Sequence, residues 1–203
     1  MSQHSATSLF TKNMRSAHIC LEVFDRMSAS TTDLNTRWIL RAAVVFVVSA
    51  LDTYYHDKVK YRLGGCYRAR RSLPAQLASF RVPLGELEKW QKAHRRGNVV
   101  RDWVMADLAR QSLQSPDSIT NALKLVDIND YWCTVARPST QASALKTQWN
   151  RLIHRRNQIA HEGDRQQSRR SGKKLRSIGR STVEKYIRFA EKLVDMTEKA
   201  FPR

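Results

Sequence analysis

The sequence predicts an all-α protein, a helical bundle of four to five main helices with short connecting helices, and three observations carry that prediction. Apolar residues recur at helical period, as Leu145, Trp149, Leu152 and Ile153 do at i, i+4, i+7 and i+8. Helix-boundary residues stand near the ends of such stripes: Ser115-Pro116-Asp117, Ser139-Thr140, Gly163 and Ser181-Thr182. Alternation of apolar and polar residues never runs longer than a few positions, and no internal repeat is present. The 203 residues are expected to form one domain, 1–203, with ample length for a core.

In chain order, residues 5–28 read as a first helix that buries Leu9, Phe10, Ile19, Cys20, Val23, Phe24 and Met27. Ser28–Asp33 is a polar break rich in helix-capping residues. A second helix, 33–60, is the longest and most apolar. Its valines, Val44, Val45, Val47 and Val48, favour a strand on propensity. Length decides for a helix, because the apolar character runs from Trp38 to Tyr55 without a turn signal. Near its end Asp52, Tyr55 and His56 bring polar groups onto an apolar helix; Asp52 and Tyr55 are read as supporting residues that orient an Arg or His of the later Leu145–Asp164 helix, the plainer account being a helix that leaves the core and meets water. Gly64-Gly65 is expected to end it.

Pro74 and Pro83 are placed to start short helices. Leu84, Leu87, Trp90 and His94 support one helix, and Val99, Val100, Trp103, Val104 and Leu108 another, after a turn expected at Gly97-Asn98. Ser115-Pro116-Asp117 opens a short helix through Leu125, and Ile128–Val135 follows. The stretch Leu145–Asp164 is an amphipathic helix, with Ser139 or Thr140 as its cap and Gly163 at the left-handed position that ends it. Arg165–Arg180 holds seven basic residues, no acids and two glycines, and is expected to be a mobile loop. A last helix spans 181–200, with Ser181 and Thr182 as caps.

Charge narrows the function. There are 36 Lys+Arg against 18 Asp+Glu, a formal net charge of +18. Such a field attracts polyanions, so nucleic acid is the first partner to consider and an anionic membrane surface the second. The basic segment lacks an interleaved apolar face, and the most apolar run, Ala42–Leu51, is about ten residues against the roughly 20 of a span, so no membrane role is expected. Cys20, Cys66 and Cys133 are odd in number and widely spaced, which indicates neither a disulfide framework nor a zinc site. With a polar N-terminus that lacks a signal-like apolar core, the expected location is cytoplasmic.

The chemistry concentrates at the end of the Leu145–Asp164 helix. Arg156 offers a permanently charged fork that matches phosphate oxygens, and His161 an imidazole whose reference pKa is about 6.5. Asn157 can orient either the phosphate or the imidazole. Arg155, Arg169, Arg170, Lys173, Lys174 and Arg176 stand ready to hold an RNA backbone. The spacing of Glu162 and Asp164 does not suit a metal site, and both carboxylates can accept hydrogen bonds from Arg side chains. The competing account of the motif is an ion-pair network that ends a helix, with a solvated His.

Arg156-Asn157-Gln158-Ile159-Ala160-His161 resembles the arginine, asparagine, three-to-five-residue, histidine motif of the HEPN superfamily of small helical ribonucleases, and RRNQIAHEGD is similar to the RiboL-PSP type. Ser49–Asp57 and Ser115–Trp132 resemble the same family in order and spacing. The resemblance implies catalysis by Arg156 and His161 with Asn157 in support, no metal or other cofactor, a 2′,3′-cyclic phosphate product, and a homodimer with a composite active site. It also implies a toxin or anti-phage effector, with an antitoxin or regulatory partner. The alternative function is a non-catalytic nucleic-acid-binding or partner-docking module that works through the basic loop.

Overall fold

The computed structural model describes residues 5–30, 36–69, 73–166 and 175–202. Nine α-helices follow one another among them: α1 (Ala6–Ser30), α2 (Arg37–Ala69), α3 (Ala75–Ala78), α4 (Leu84–Lys92), α5 (Arg96–Leu108), α6 (Pro116–Lys124), α7 (Tyr131–Val135), α8 (Ala142–His161) and α9 (Arg180–Ala200). Pairing of extended backbone among the described residues is limited to one isolated antiparallel bridge, Arg165 with Leu175.

Helix α2 is the axis of the bundle and packs against α1, α5, α8 and α9. Partners on several sides explain its composition. Leu40, Val44, Val47, Val48, Leu51, Tyr54, Tyr55 and Val59 are all buried, so β-branched residues are chosen for packing, against their own preference for strands. By length and composition Arg37–Leu63 would suffice to cross a membrane, a longer apolar stretch than Ala42–Leu51 suggests, yet 56% of its most apolar window is buried inside the fold. The helix also runs straight through Gly64-Gly65, where the sequence predicted its end. Glycine in a helix costs about 1 kcal/mol, which continuation of the hydrogen-bonded ladder outweighs here.

Three other boundaries move. The turn predicted at Gly97-Asn98 falls at His94-Arg95, and Gly97 belongs to the first turn of α5. Ser181 and Thr182 lie inside α9, which Gly179 precedes without a side-chain cap, and Arg180 instead ties the helix start to Asp25 of α1 at 2.8 and 3.0 Å. A 3-10 turn, Ser139–Gln141, leads into α8, so neither Ser139 nor Thr140 caps it. The Ser115 start holds as read: its side chain accepts from the Ser118 amide, in a capping box above Pro116.

A buried polar chain closes the core between α2, α7 and α9. Thr197 donates to the Leu193 carbonyl at 2.7 Å, so its oxygen is left to accept from Tyr131, also at 2.7 Å. Tyr131 in turn accepts from Tyr55 at 2.7 Å. The proton order Tyr55→Tyr131→Thr197→Leu193 is therefore fixed by elimination. Burial pushes the Tyr131 phenol up to about 12, against the lowering effect of its hydrogen bonds with Thr197 and Tyr55. All three groups stay neutral and fully partnered.

Candidate functional site

Helix α8 turns Ala142, Trp149, Leu152 and Ile153 into the core, and Trp149 donates to the Gln114 carbonyl at 3.0 Å. With that face fixed, the end of the helix carries its polar residues outward. His161 is its last residue. Glu162 follows, then Gly163 and Asp164, both left-handed at φ 58° and 57°. A Cβ added at Gly163 would meet no atom within 4 Å, so the glycine answers to backbone angle alone. The Asp164 amide then donates to the Gln158 carbonyl at 2.8 Å and closes the helix end.

Arg155 and Arg156 are neighbours in sequence, but about 100° apart around the helix they meet different partners. Arg155 forks onto Asp164: Nη1 to one carboxylate oxygen, Nη2 to the other at 2.9 Å. Arg41 of α2 reaches the same carboxylate through Nε and the Arg176 carbonyl through Nη2 at 2.8 Å. The side chains of Asp164, Arg41 and Arg155 are 0%, 3% and 11% exposed. A buried carboxylate shared by two guanidinium groups satisfies its lone pairs and fastens the end of α8 to α2. The Arg176 amide donates to the Asp164 carbonyl at 2.8 Å, beside the Arg165–Leu175 bridge.

Arg156 sits outside that clamp. Its Nη1 reaches the Asn157 oxygen at 3.1 Å and His161 Nε2 at 3.4 Å. A guanidinium has only protons to offer, so in a hydrogen bond of this pair Nε2 is the acceptor. Arg156 Nε is buried and has no hydrogen-bond partner. Glu162 Oε2 is likewise without one, although Arg176 Nη1 approaches it at 3.0 Å. That approach is close enough for charge attraction and is not directed as a hydrogen bond. His161 is exposed. An imidazole and a forked cation thus meet at one helix end, with the cation's own Nε buried and unpartnered. His154, two turns before His161 and also exposed, is occupied by Gln158 at 2.7 Å.

Several residues read from sequence go elsewhere. Arg155 was assigned to RNA binding, and its guanidinium is committed to Asp164 and Gln158. Arg176 is also tied inward, its side chain reaching the Arg165 carbonyl and Glu162. Asp52 accepts from the Leu113 amide at 2.7 Å, and Tyr55 is fully buried with its hydroxyl on Tyr131, so neither hydrogen-bonds to Arg156 or His161. Arg169, Arg170, Lys173 and Lys174 lie outside the described residues. The described ends of the basic segment are not free: Ile178 is buried, and Arg165 pairs with Leu175. Sequence reading missed Arg41, whose signal was available: a lone cation in an apolar run must find an anion. Among the described residues no group of three or more His, Cys, Asp or Glu side chains is arranged to hold a metal ion.

Comparison with known proteins adds one match. A family model described as RiboL-PSP-HEPN matches residues 15–202. No curated protein and no solved structure matches the chain. HEPN domains carry nucleotide-related or ribonuclease-like functions. With a match that spans α1 to α9 and takes in the Arg156–His161 end of α8, the chain belongs to the RiboL-PSP-HEPN family.

Proposed function

We propose that this protein is a metal-independent endoribonuclease. The observation that carries the reading is the Arg156–His161 pair, 3.4 Å apart at an open helix end, with Arg156 Nε unpartnered. RNA supplies its own nucleophile. The 2′-oxygen attacks phosphorus, its proton passes to a base, the bond from phosphorus to the 5′-oxygen breaks, and that oxygen takes a proton from an acid. The products are a 2′,3′-cyclic phosphate and a free 5′-hydroxyl. His161 is the base in this scheme. Arg156 holds the non-bridging oxygens as charge builds on them, and Asn157 fixes the guanidinium.

Each chain brings one such imidazole, and the reaction needs both a base and an acid. A homodimer that sets two α8 ends face to face supplies the pair. Free Cys20 and Cys133 suit a reducing cytoplasm, and a toxin or anti-phage role with a neutralising partner is the biological setting proposed. A second reading, a non-catalytic RNA-binding module, draws on that single imidazole.

The test is cleavage of total RNA by purified protein in EDTA, wild type beside His161→Ala. Fragments that end in 2′,3′-cyclic phosphate and are made by wild type alone are the expected result. Absence of cleavage by a dimeric, partner-free wild type would move the assignment to the binding module. Equal cleavage by both proteins would remove His161 from the mechanism.

A further inference from the structure

Trp38, near the start of α2, is 45% exposed, although tryptophan normally buries its large apolar surface. It is not an ordinary surface residue, because the guanidinium of Arg41 lies over its ring, 4.8 Å from the centroid. Arg41 cannot wander. It is 3% exposed and held by Asp164 and by the Arg176 carbonyl. The indole is therefore oriented by a cation pinned to Asp164 and to the Arg176 carbonyl. Asp164 lies three residues past His161, so the same carboxylate fixes the indole on one side and the end of the motif helix on the other.

We propose that Trp38 is a stacking platform for an unpaired base of the RNA, held in register with Arg156 and His161 through Arg41 and Asp164. The inference rests on the ribonuclease reading for the source of that base. Every base offers a π-face, and an open aromatic ring beside cations is how single strands are gripped without regard to sequence. Arg37, the exposed neighbour of Trp38 in sequence, and the chain's net charge of +18 favour a polyanion over another positively charged surface. A rival occupant is a second copy of the chain, since Phe46, two turns further along α2, is also 42% exposed.

The experiment measures anisotropy of a labelled single-stranded RNA made uncleavable by 2′-O-methylation. The full-length wild type, Trp38→Ala and Trp38→Phe are compared, with sedimentation velocity and cleavage run alongside. The account expects Trp38→Ala to raise Kd by about 5- to 150-fold and Trp38→Phe to restore most of the affinity. Abasic substitution along the oligonucleotide should weaken wild type and barely affect Trp38→Ala. Unchanged affinity in Trp38→Ala overturns the platform whether or not wild type cleaves, and unchanged affinity with loss of dimer reassigns Trp38 to the contact between copies. Lost affinity in Trp38→Ala with no cleavage by wild type supports the platform and fails the ribonuclease reading instead. A wild type that neither binds nor cleaves overturns both.

Discussion

Two polar clusters hang on the same helical frame, and they are finished differently. Between α2, α7 and α9, Tyr55, Tyr131 and Thr197 pass hydrogen bonds along a closed chain in which each hydroxyl is used. At the end of α8, Arg156 keeps a buried Nε without a partner and His161 faces solvent. Closed networks rigidify a core, whereas an exposed imidazole in contact with a guanidinium outside the Asp164 clamp is a capacity left for an anion that arrives. The contrast recurs at single-residue resolution between Arg155, spent on Asp164, and Arg156, which is not.

The largest expected effect falls on the open cluster. Arg156→Ala and His161→Ala should each lower RNA cleavage by about 10²- to 10⁴-fold, with the urea midpoint of unfolding unchanged. Cleavage kinetics beside a denaturation curve would check this, and a matching fall in stability would erase the distinction between the clusters. Asp164→Ala comes next, because it strands two guanidinium groups that are 3% and 11% exposed. Stability should fall by about 3–5 kcal/mol, read from denaturant unfolding.

Thr197→Val removes the acceptor of the Tyr131 hydroxyl and should cost about 1–3 kcal/mol, while cleavage by the folded protein stays at the wild-type rate. The smallest effect concerns pH. Burial pushes the Glu198 carboxyl up, but hydrogen bonds from Tyr54 and Lys58, with the Lys58 charge, outweigh it and hold the group below its usual 4.5. A depressed carboxylate contributes stability that is fully present above its unfolded value and is lost as pH falls through the folded one. Stability should therefore decline gently below about pH 4.5, and Glu198→Gln should flatten that part of the profile.

How much of this could be read in advance differs between the clusters too. The stripe of α8, its glycine stop and the Arg156–His161 pair are local, set by spacing along one helix, and the sequence displays them directly. The Asp164 clamp is not local: Arg41 and Asp164 are 123 residues apart, and only tertiary packing joins them. Arg155 looked like one more RNA-facing cation although its partner Asp164 is only nine residues on, because nothing along one helix says which of two adjacent arginines turns inward. Tyr55 was misread in the opposite sense. Its place near the polar end of α2 suggested service to the catalytic helix, and its hydroxyl instead completes the chain to Tyr131. Gly64-Gly65 misled because glycine weakens a helix without ending it, and α2 continues through both residues to Ala69.

The central claim is that the two adjacent arginines do opposite work, and one crossed measurement tests it. Cleavage rate per folded molecule and urea midpoint would be measured for Arg155→Ala and Arg156→Ala together. Arg156→Ala should keep its midpoint and lose cleavage, while Arg155→Ala should lose stability and its folded fraction should still cut RNA. A stable, inactive Arg155→Ala beside an unstable, active Arg156→Ala would contradict it.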